Sequence, residues 1–148
     1  MLCLLYALVV VLAAAPLPAT AQLPTDSIRT AALRDYHGPD LEGKDGPLSK
    51  AGRSLLLLYH EYEAFRTRCP DSSFTATVSS LPTRNGRVAV EAVAVDHADT
   101  LLADLEALGL KDGLTGGRVV SGWLPIDQIP AMARLPSLRG LIQSERRR

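Results

Sequence analysis

The chain contains little cysteine and few aromatic residues. Its 148 residues include two cysteines and one tryptophan, and aromatic residues make up 5% of the sequence. Cys3 lies in the apolar N-terminal stretch, so removal of that stretch leaves Cys69 alone and excludes an intramolecular disulfide. We expect Cys69 to be a partly buried thiol near a helix end; the alternatives are a free thiol and an intermolecular link.

An excess of charge of either sign is also missing. The chain has 16 Lys and Arg residues against 16 Asp and Glu residues, for a formal net charge of +0. Binding to nucleic acid depends on a cationic field that attracts the phosphates. The charge balance therefore argues against a nucleic-acid partner.

The residue patterns of common catalytic sites are absent from the sequence. Ser121 fails the Gly-x-Ser-x-Gly pattern of a hydrolase nucleophile because Val119 stands two residues before it. His60 and Glu61 begin a zinc-protease motif, but Ala64 stands where the second histidine ligand is required. No glycine-rich loop is followed by the Lys-Ser or Lys-Thr of a phosphate-binding loop. We predict a protein that is not an enzyme and has no catalytic residues, metal or cofactor.

The N terminus lacks a Lys or Arg before its apolar stretch, residues 2–15. Ala19-Thr20-Ala21 nevertheless has the small-x-small pattern of a signal peptidase site, and the stretch is shorter than the roughly 20 residues of a membrane span. We predict a signal peptide at residues 1–21 and a mature protein that is secreted, or periplasmic or in the cell envelope, with no membrane span after cleavage. An uncleaved anchor is the alternative, since the positive charge of a usual signal peptide is missing.

Two segments separate the signal peptide from the C-terminal part of the chain. Residues 22–46 are polar and interrupted by prolines and glycines, which predicts a flexible linker in which Ser27–Leu33 is suited to a short helix. Residues 47–80 are predicted to form an accessory helix at 48–68 and a short strand at Phe74–Ser79. Cys69 ends the helix because the residue before a proline is disfavoured in the α conformation.

Residues 85–148 alternate between strand and helix patterns, which predicts an α+β protein with a ferredoxin-like β-α-β-β-α-β layer at residues 87–145. A change of phase near Ala92 in the first strand indicates a bulge or a strand buried on both faces. The predicted elements are a strand at Arg87–Val95, a helix capped by Asp96 and ended by Gly109, strands at Thr115–Val120 and Gly122–Ile126, a helix capped by Asp127, and a strand at Ser137–Ser144. The two middle strands are alternatively one kinked strand, and Gly116-Gly117 allows a bend or a turn.

Two features of this region are candidate partner contacts. Trp123 either packs against a helix, which we favour, or stands on the open face of the sheet and anchors a partner. The sequence closes with a polar and largely basic run, which is typical of a solvated tail and alternatively docks into an acidic cleft. The residues of this run are Ser144, Glu145, Arg146, Arg147 and Arg148.

The order of elements in residues 87–144 resembles the N-terminal propeptides of subtilisin-like serine proteases, also called the peptidase inhibitor propeptide family. The similar sequence is Gly122-Trp123-Leu124-Pro125-Ile126, followed by residues 127–133 and 135–139. Residues 45–48 and 58–62 also resemble N-terminal regions of exported bacterial proteins, some of which precede a subtilisin-like catalytic domain. The likeness covers residues 44–143.

In that family a sheet face packs on the protease and an extended C-terminal tail lies in the substrate cleft. The resemblance implies that residues 144–148 are the tail, and the absence of a following protease domain implies action in trans, as an inhibitor or folding aid. We therefore expect a secreted, non-catalytic domain that binds a protein partner, with a subtilisin-like serine protease as the candidate. The alternative is a cell-envelope or surface protein-interaction module unrelated to proteases.

Overall fold

The structure is a computed structural model that describes residues 25–142. The predicted signal peptide and the predicted tail, residues 144–148, lie outside this range. The described residues form helices α1 (Thr25–His37), α2 (Gly52–Arg68), α3 (Ala98–Ala107) and α4 (Ile129–Ala133), and strands β1 (Thr83–Arg84), β2 (Arg87–Ala94), β3 (Lys111–Gly116), β4 (Val119–Pro125) and β5 (Leu138–Leu141). The prediction of an α+β protein is confirmed. None of these helices has the length and apolar character needed to cross a membrane.

The five described strands form one antiparallel sheet. β4 lies between β2 and β3, and the other edge of β2 pairs with β1 near its start and with β5 near its end. The register of β2 and β4 is regular from Arg87↔Pro125 to Val93↔Val119. The bulge predicted near Ala92 occurs slightly later, as a register shift between Val93 and Ala94 where β2 pairs with β5.

The core lies between one face of this sheet and the helices. Val88 and Val90 of β2 and Leu124 of β4 are buried on that face, and they share one apolar cluster with buried residues of all four helices. Burial of a Leu or Val side chain contributes roughly 1.5–3 kcal/mol. The helical contributions include Ala32 of α1, Leu55, Leu56 and Leu58 of α2, Leu101 and Leu105 of α3, and Ile129 and Met132 of α4.

The prediction of a flexible linker at residues 22–46 is wrong for the described part of that segment. The short helix indicated at Ser27–Leu33 is present and is longer: Thr25–His37 forms a 13-residue helix that packs on α2 and buries Ile28 and Ala32. The following loop returns to this helix, because the N–H of Gly46 donates to the carbonyl of Tyr36 at 3.0 Å. The segment alone does not have enough apolar surface to form a core. It is ordered because its few apolar residues pack against the apolar residues of α2.

The strand predicted at Phe74–Ser79 is also wrong, because this segment is irregular. Its backbone N–H groups donate to the side chain of Glu61 on α2 and not to a neighbouring strand. The ring of Phe74 packs edge-on against Tyr62 and Phe65 of the same helix. The segment therefore lies along α2, and its alternating sequence reflects contacts with a helix.

The strand pair after α3 begins earlier than predicted. Gly116 and Gly117 do not bend a strand but lie at the turn between β3 and β4, and Gly117 has a φ of 62°, a conformation that favours glycine. The first strand of the pair therefore starts at Lys111, four residues before the predicted Thr115.

The predicted helix caps differ from the observed ones. α3 begins after His97 and α4 after Gln128, and neither N-cap makes a side-chain hydrogen bond. Asp96 and Asp127 are exposed and are not the N-cap residues. Gly109 does end α3 as predicted, with a φ of 93°.

A candidate protein-binding face

The sheet face that points away from the helices, hereafter the open sheet face, carries alternate residues of three strands. Because successive strand residues point to opposite faces, the buried positions Val88, Val90 and Ala92 leave their neighbours on the other side. These neighbours are all exposed or half-exposed. The face comprises Arg87, Ala89, Glu91 and Val93 of β2, Val119, Ser121 and Trp123 of β4, and Lys111 and Leu114 of β3.

Large apolar side chains are exposed on and beside this face. Leu114 is 70% exposed, Ile142 46% and Val95 39%, and the one other large apolar residue described as exposed is Leu41. Ile142 continues β5 along β2, since its N–H donates to the carbonyl of Glu91 at 2.8 Å. Val95 continues the alternation of β2 by one residue. Three of the four exposed large apolar residues therefore lie at the same surface of the molecule.

Trp123 lies on the open sheet face, so the favoured prediction that it packs against a helix is wrong. Its neighbours in register are Ala89 of β2 and Lys111 of β3. The guanidinium carbon of Arg84 lies 4.6 Å from the centre of the indole ring, at cation–π distance. Arg84 reaches the ring from β1, across β2, where the small side chain of Ala89 leaves room for it.

Positive charge surrounds Trp123. The side chain of Arg87 donates to the carbonyl of Gly109 at 2.5 Å and to that of Trp123 at 3.3 Å. Arg84 also approaches Asp112, with 3.7 Å between the guanidinium nitrogen and the carboxylate oxygen. We call the three basic residues Arg84, Arg87 and Lys111 the cationic corner of the open sheet face.

A shallow groove of about 290 Å³ lies between α1 and α2 and is lined by residues that include Ile28, His60 and Glu63. His60 is paired there with Asp35, at 2.7 Å between Nε2 and Oδ2. Nearby on α2, burial raises the pKa of Tyr59, with further upward contributions from Glu63 and Asp35. The groove sits where the two helices join, and its polar groups link one helix to the other.

Glu61 is the one charged residue among those described that is fully buried, at 0% exposure. One carboxyl oxygen accepts from the N–H and hydroxyl of Thr77 and from the N–H of Val78, and the other accepts from the N–H of Ser79 at 3.2 Å. Each oxygen is thus occupied by the segment it holds, so the role of Glu61 is structural.

The residues considered for catalysis and metal binding are not brought together. Ser121 lies on the open sheet face opposite Glu91 and Leu114, whereas His60 pairs with Asp35 between the helices. Within residues 25–142 no group of three or more His, Cys, Asp or Glu side chains is placed to hold a metal ion. Cys69 follows α2 and is exposed, which corrects the expectation of a partly buried thiol.

Of the six predicted contact residues, the structure therefore places only Trp123. Ser144, Glu145, Arg146, Arg147 and Arg148 lie outside the described residues. Sequence reasoning missed Arg84 and Leu114. The position of Arg84 could have been predicted in part from the sequence, because an Asn-Gly turn at 85 and 86 sets it opposite Arg87 in a hairpin. The exposure of Leu114 on this face could not be predicted, because no sequence pattern indicates that its strand begins at Lys111.

Comparisons with protein-family models, with curated proteins and with solved structures found no match.

Proposed function

We propose that this chain is a non-catalytic, secreted, protein-binding domain and that the open sheet face is its contact surface. The candidate partner is a subtilisin-like serine protease, which the protein inhibits or helps to fold in trans. The observation that carries the proposal is that Leu114, Ile142 and Val95 lie with Trp123 on one uncovered face, spread across the sheet with Ser121 and Glu91 between Leu114 and Ile142.

Exposure of these apolar side chains to water is unfavourable, and a partner that covers them removes this cost. Single exposed apolar residues are ordinary, but the described part of the chain concentrates three of its four exposed large apolar residues on one face, which is typical of an interaction surface. A half-exposed Trp at one end is also the residue type that most often anchors an interface. The helices cover the opposite face only, so a partner surface can approach the strands without displacing any described helix.

We infer that the sheet has the ferredoxin-like arrangement, which supports the resemblance to protease propeptides at the level of the fold. The strand order β5-β2-β4-β3, with every neighbouring pair antiparallel, is the order of a split β-α-β unit. The helices α3 and α4 connect β2 to β3 and β4 to β5. The short strand β1 is an addition at the β2 edge.

The non-catalytic part of the proposal is supported by the partners of the titratable side chains. His60 is paired with Asp35, Glu61 holds the segment after α2, and the Ser137 hydroxyl donates to Asp104. A nucleophile and its base need to be within hydrogen-bond reach of each other. These groups are engaged in contacts between elements.

The test is titration of the purified protein into a panel of subtilisin-like proteases while residual peptidase activity is followed. We expect stoichiometric inhibition of at least one protease, reduced when Trp123 is replaced by Ala. Removal of Arg146–Arg148 tests the tail separately: inhibition that survives this deletion excludes the basic run from the mechanism. Absence of inhibition by protein shown to be folded would favour the cell-envelope or surface interaction module.

Export is tested by the mass of the protein recovered after expression with residues 1–148. A product that begins at Gln22 supports the proposed signal peptide and a secreted, periplasmic or envelope location. A full-length product retained in the membrane fraction would favour the uncleaved anchor.

A further inference from the structure

We propose that the cationic corner is a carboxylate-binding subsite, so that the partner covering the open sheet face presents an Asp or Glu side chain beside apolar residues. The inference rests on the proposed function, because it takes the open sheet face as the contact surface. Arg84 is the residue that binds the carboxylate, and Trp123 positions it.

The first argument is the geometry of Arg84. Its guanidinium carbon lies 4.6 Å from the centre of the Trp123 ring. A guanidinium group carries five N–H donors around its edge, and packing on an aromatic ring leaves those donors available. The side chain is 62% exposed, so a partner can reach it. The Trp123 ring thus holds the Arg84 guanidinium in place while its N–H donors remain available to a partner.

The second argument is the weakness of the contact that Arg84 makes within the chain. Its nitrogen is 3.7 Å from the Asp112 carboxylate, and the Asp112 side chain is 73% exposed. Such an exposed ion pair contributes little to stability. A carboxylate from a partner can make shorter, paired hydrogen bonds with the same guanidinium. Asp112 therefore acts as a weak internal competitor for the subsite.

The third argument is charge complementarity. Arg87 is held in place by the carbonyls of Gly109 and Trp123, and Lys111 lies in register with Trp123 on the next strand. The corner thus places three cations beside the carboxylate of Asp112, and the next carboxylate on the same face is that of Glu91, one row beyond Ala89 on β2. A partner surface with opposite charge at this point gains both affinity and correct orientation.

The apolar part of the face indicates which kind of anion fits. Leu114 lies one row beyond Lys111 on β3 and is 70% exposed. A free anion would leave this surface uncovered, whereas a protein segment with an acidic and an apolar side chain covers both. A second copy of the chain would bring another cationic corner to the interface, and the basic run at 146–148 has the same sign of charge.

The experiment uses Trp123 as its reporter, because it is the only tryptophan in the chain. Peptides of 12 residues are selected from a random phage-displayed library on the immobilised purified protein. Tryptophan-free synthetic copies are then titrated while the fluorescence of Trp123 is followed. We expect the selected sequences to share an Asp or Glu flanked by apolar residues. Selection of no peptide, or of peptides without an acidic residue, would overturn the proposal.

A double-mutant cycle then locates the contact. We expect Arg84→Gln in the protein, or Glu→Gln in the peptide, to raise Kd by about fivefold to tenfold each. The two changes together should cost no more than either alone, because they remove the same interaction. Asp112→Asn should lower Kd by roughly twofold to fivefold. Arg53→Gln, which changes an exposed Arg on α2, is the matched control and should leave Kd unchanged.

The remaining outcomes separate this subsite from the proposed function. If Leu114→Glu weakens peptide binding and Arg84→Gln does not, the open sheet face is the contact surface and the carboxylate subsite is wrong. Insensitivity to both substitutions contradicts both proposals. Self-association measured by light scattering and lost on Leu114→Glu would assign the face to a second copy. Binding of an RNA homopolymer that depends on Arg84 would replace the protein partner by nucleic acid.

Discussion

At the scale of single residues, Glu61 shows how one side chain holds a segment that has no strand or helix of its own. Its two oxygens accept from three backbone N–H groups, those of Thr77, Val78 and Ser79, and from one hydroxyl. A buried N–H without a partner costs about 1–3 kcal/mol. We expect Glu61→Ala to lower the free energy of unfolding by about 3 kcal/mol or more, as measured by urea denaturation.

The conservative variant refines this expectation. Glu61→Gln keeps one acceptor oxygen and replaces the other by a donor, so it should cost about 1–2 kcal/mol. Glu42→Gln, at an exposed position, serves as the control and should change the free energy of unfolding by less than about 0.5 kcal/mol. Equal stability of the three proteins would show that the segment does not depend on Glu61.

Tyr59 gives the protein a stability component that depends on pH. Burial, followed by Glu63 and Asp35, raises the pKa of Tyr59 above its ordinary value of 10.0. The folded protein therefore holds this proton more tightly than the unfolded chain. The resulting stabilisation is fully present below about pH 10 and is lost as pH rises through the native pKa.

We expect this component to disappear in Tyr59→Phe. Urea denaturation at intervals between about pH 8 and pH 11 should show a steeper loss of stability for the unmodified protein than for the variant. The other tyrosines and the lysines titrate in both proteins, so the difference between the two curves isolates Tyr59. Parallel curves over the whole range would contradict the expectation.

At the scale of elements, the docking of α1 depends on a close approach of backbones at Gly46. A Cβ atom at this position would lie 2.2 Å from the carbonyl oxygen of Asp35 and 2.4 Å from the carbonyl carbon of Tyr36. Both atoms are backbone and cannot move aside without shifting the helix. We expect Gly46→Ala to destabilise the protein by at least about 2 kcal/mol and to reduce hydrogen-exchange protection in α1 more than in β2 and β4.

Gly140→Ala is the control for this variant. Nothing lies within 4 Å of a Cβ at Gly140, and no positive φ is recorded there. It should retain the hydrogen-exchange protection of α1. Uniform loss of protection in Gly46→Ala would indicate that α1 opens only together with the sheet.

The order and type of the elements in residues 87–141 were predictable because their patterns are local, whereas the start of β3 and the caps of α3 and α4 were not. The period of Leu101 and Leu105 identifies α3, and the alternation of Val88 and Val90 identifies β2. The sequence indicates a short helix at Ser27–Leu33 within α1, but its extension to Thr25–His37 and its docking were not predictable, because they depend on contacts with α2. The alternation of Phe74–Ser79 was misleading, since a helix side chain satisfies those N–H groups instead of a neighbouring strand.

The site was less predictable than the fold. Alternation shows that Trp123 and Leu124 point to opposite faces, but it does not say which face the helices cover. That choice follows from the crossover connections and appears only when the strands are placed in the sheet. The pairing of Arg84 with Trp123 joins residues on β1 and β4, and no local spacing encodes it.

At the scale of the whole molecule, the protein is asymmetric across its sheet. One face contributes to a buried apolar cluster that residues of all four helices share, and the other exposes Leu114, Ile142 and Val95. The apolar residues whose burial stabilises the fold lie on the face that the helices cover. A substitution on the second face is therefore expected to separate binding from stability.

Leu114→Glu is the variant that tests this separation. Leu114 is 70% exposed, so we expect its replacement to change the free energy of unfolding by less than about 0.5 kcal/mol. The same change places a negative charge where the proposed contact is apolar, on the edge strand β3, which should weaken inhibition of a responsive protease by roughly tenfold or more. Leu105→Ala is the counterpart on the covered face: it removes a fully buried side chain and should cost about 2–5 kcal/mol while the remaining folded protein still binds. Inhibition that is unchanged in Leu114→Glu would mean that the partner does not bind the open sheet face, whatever the stability of the variant.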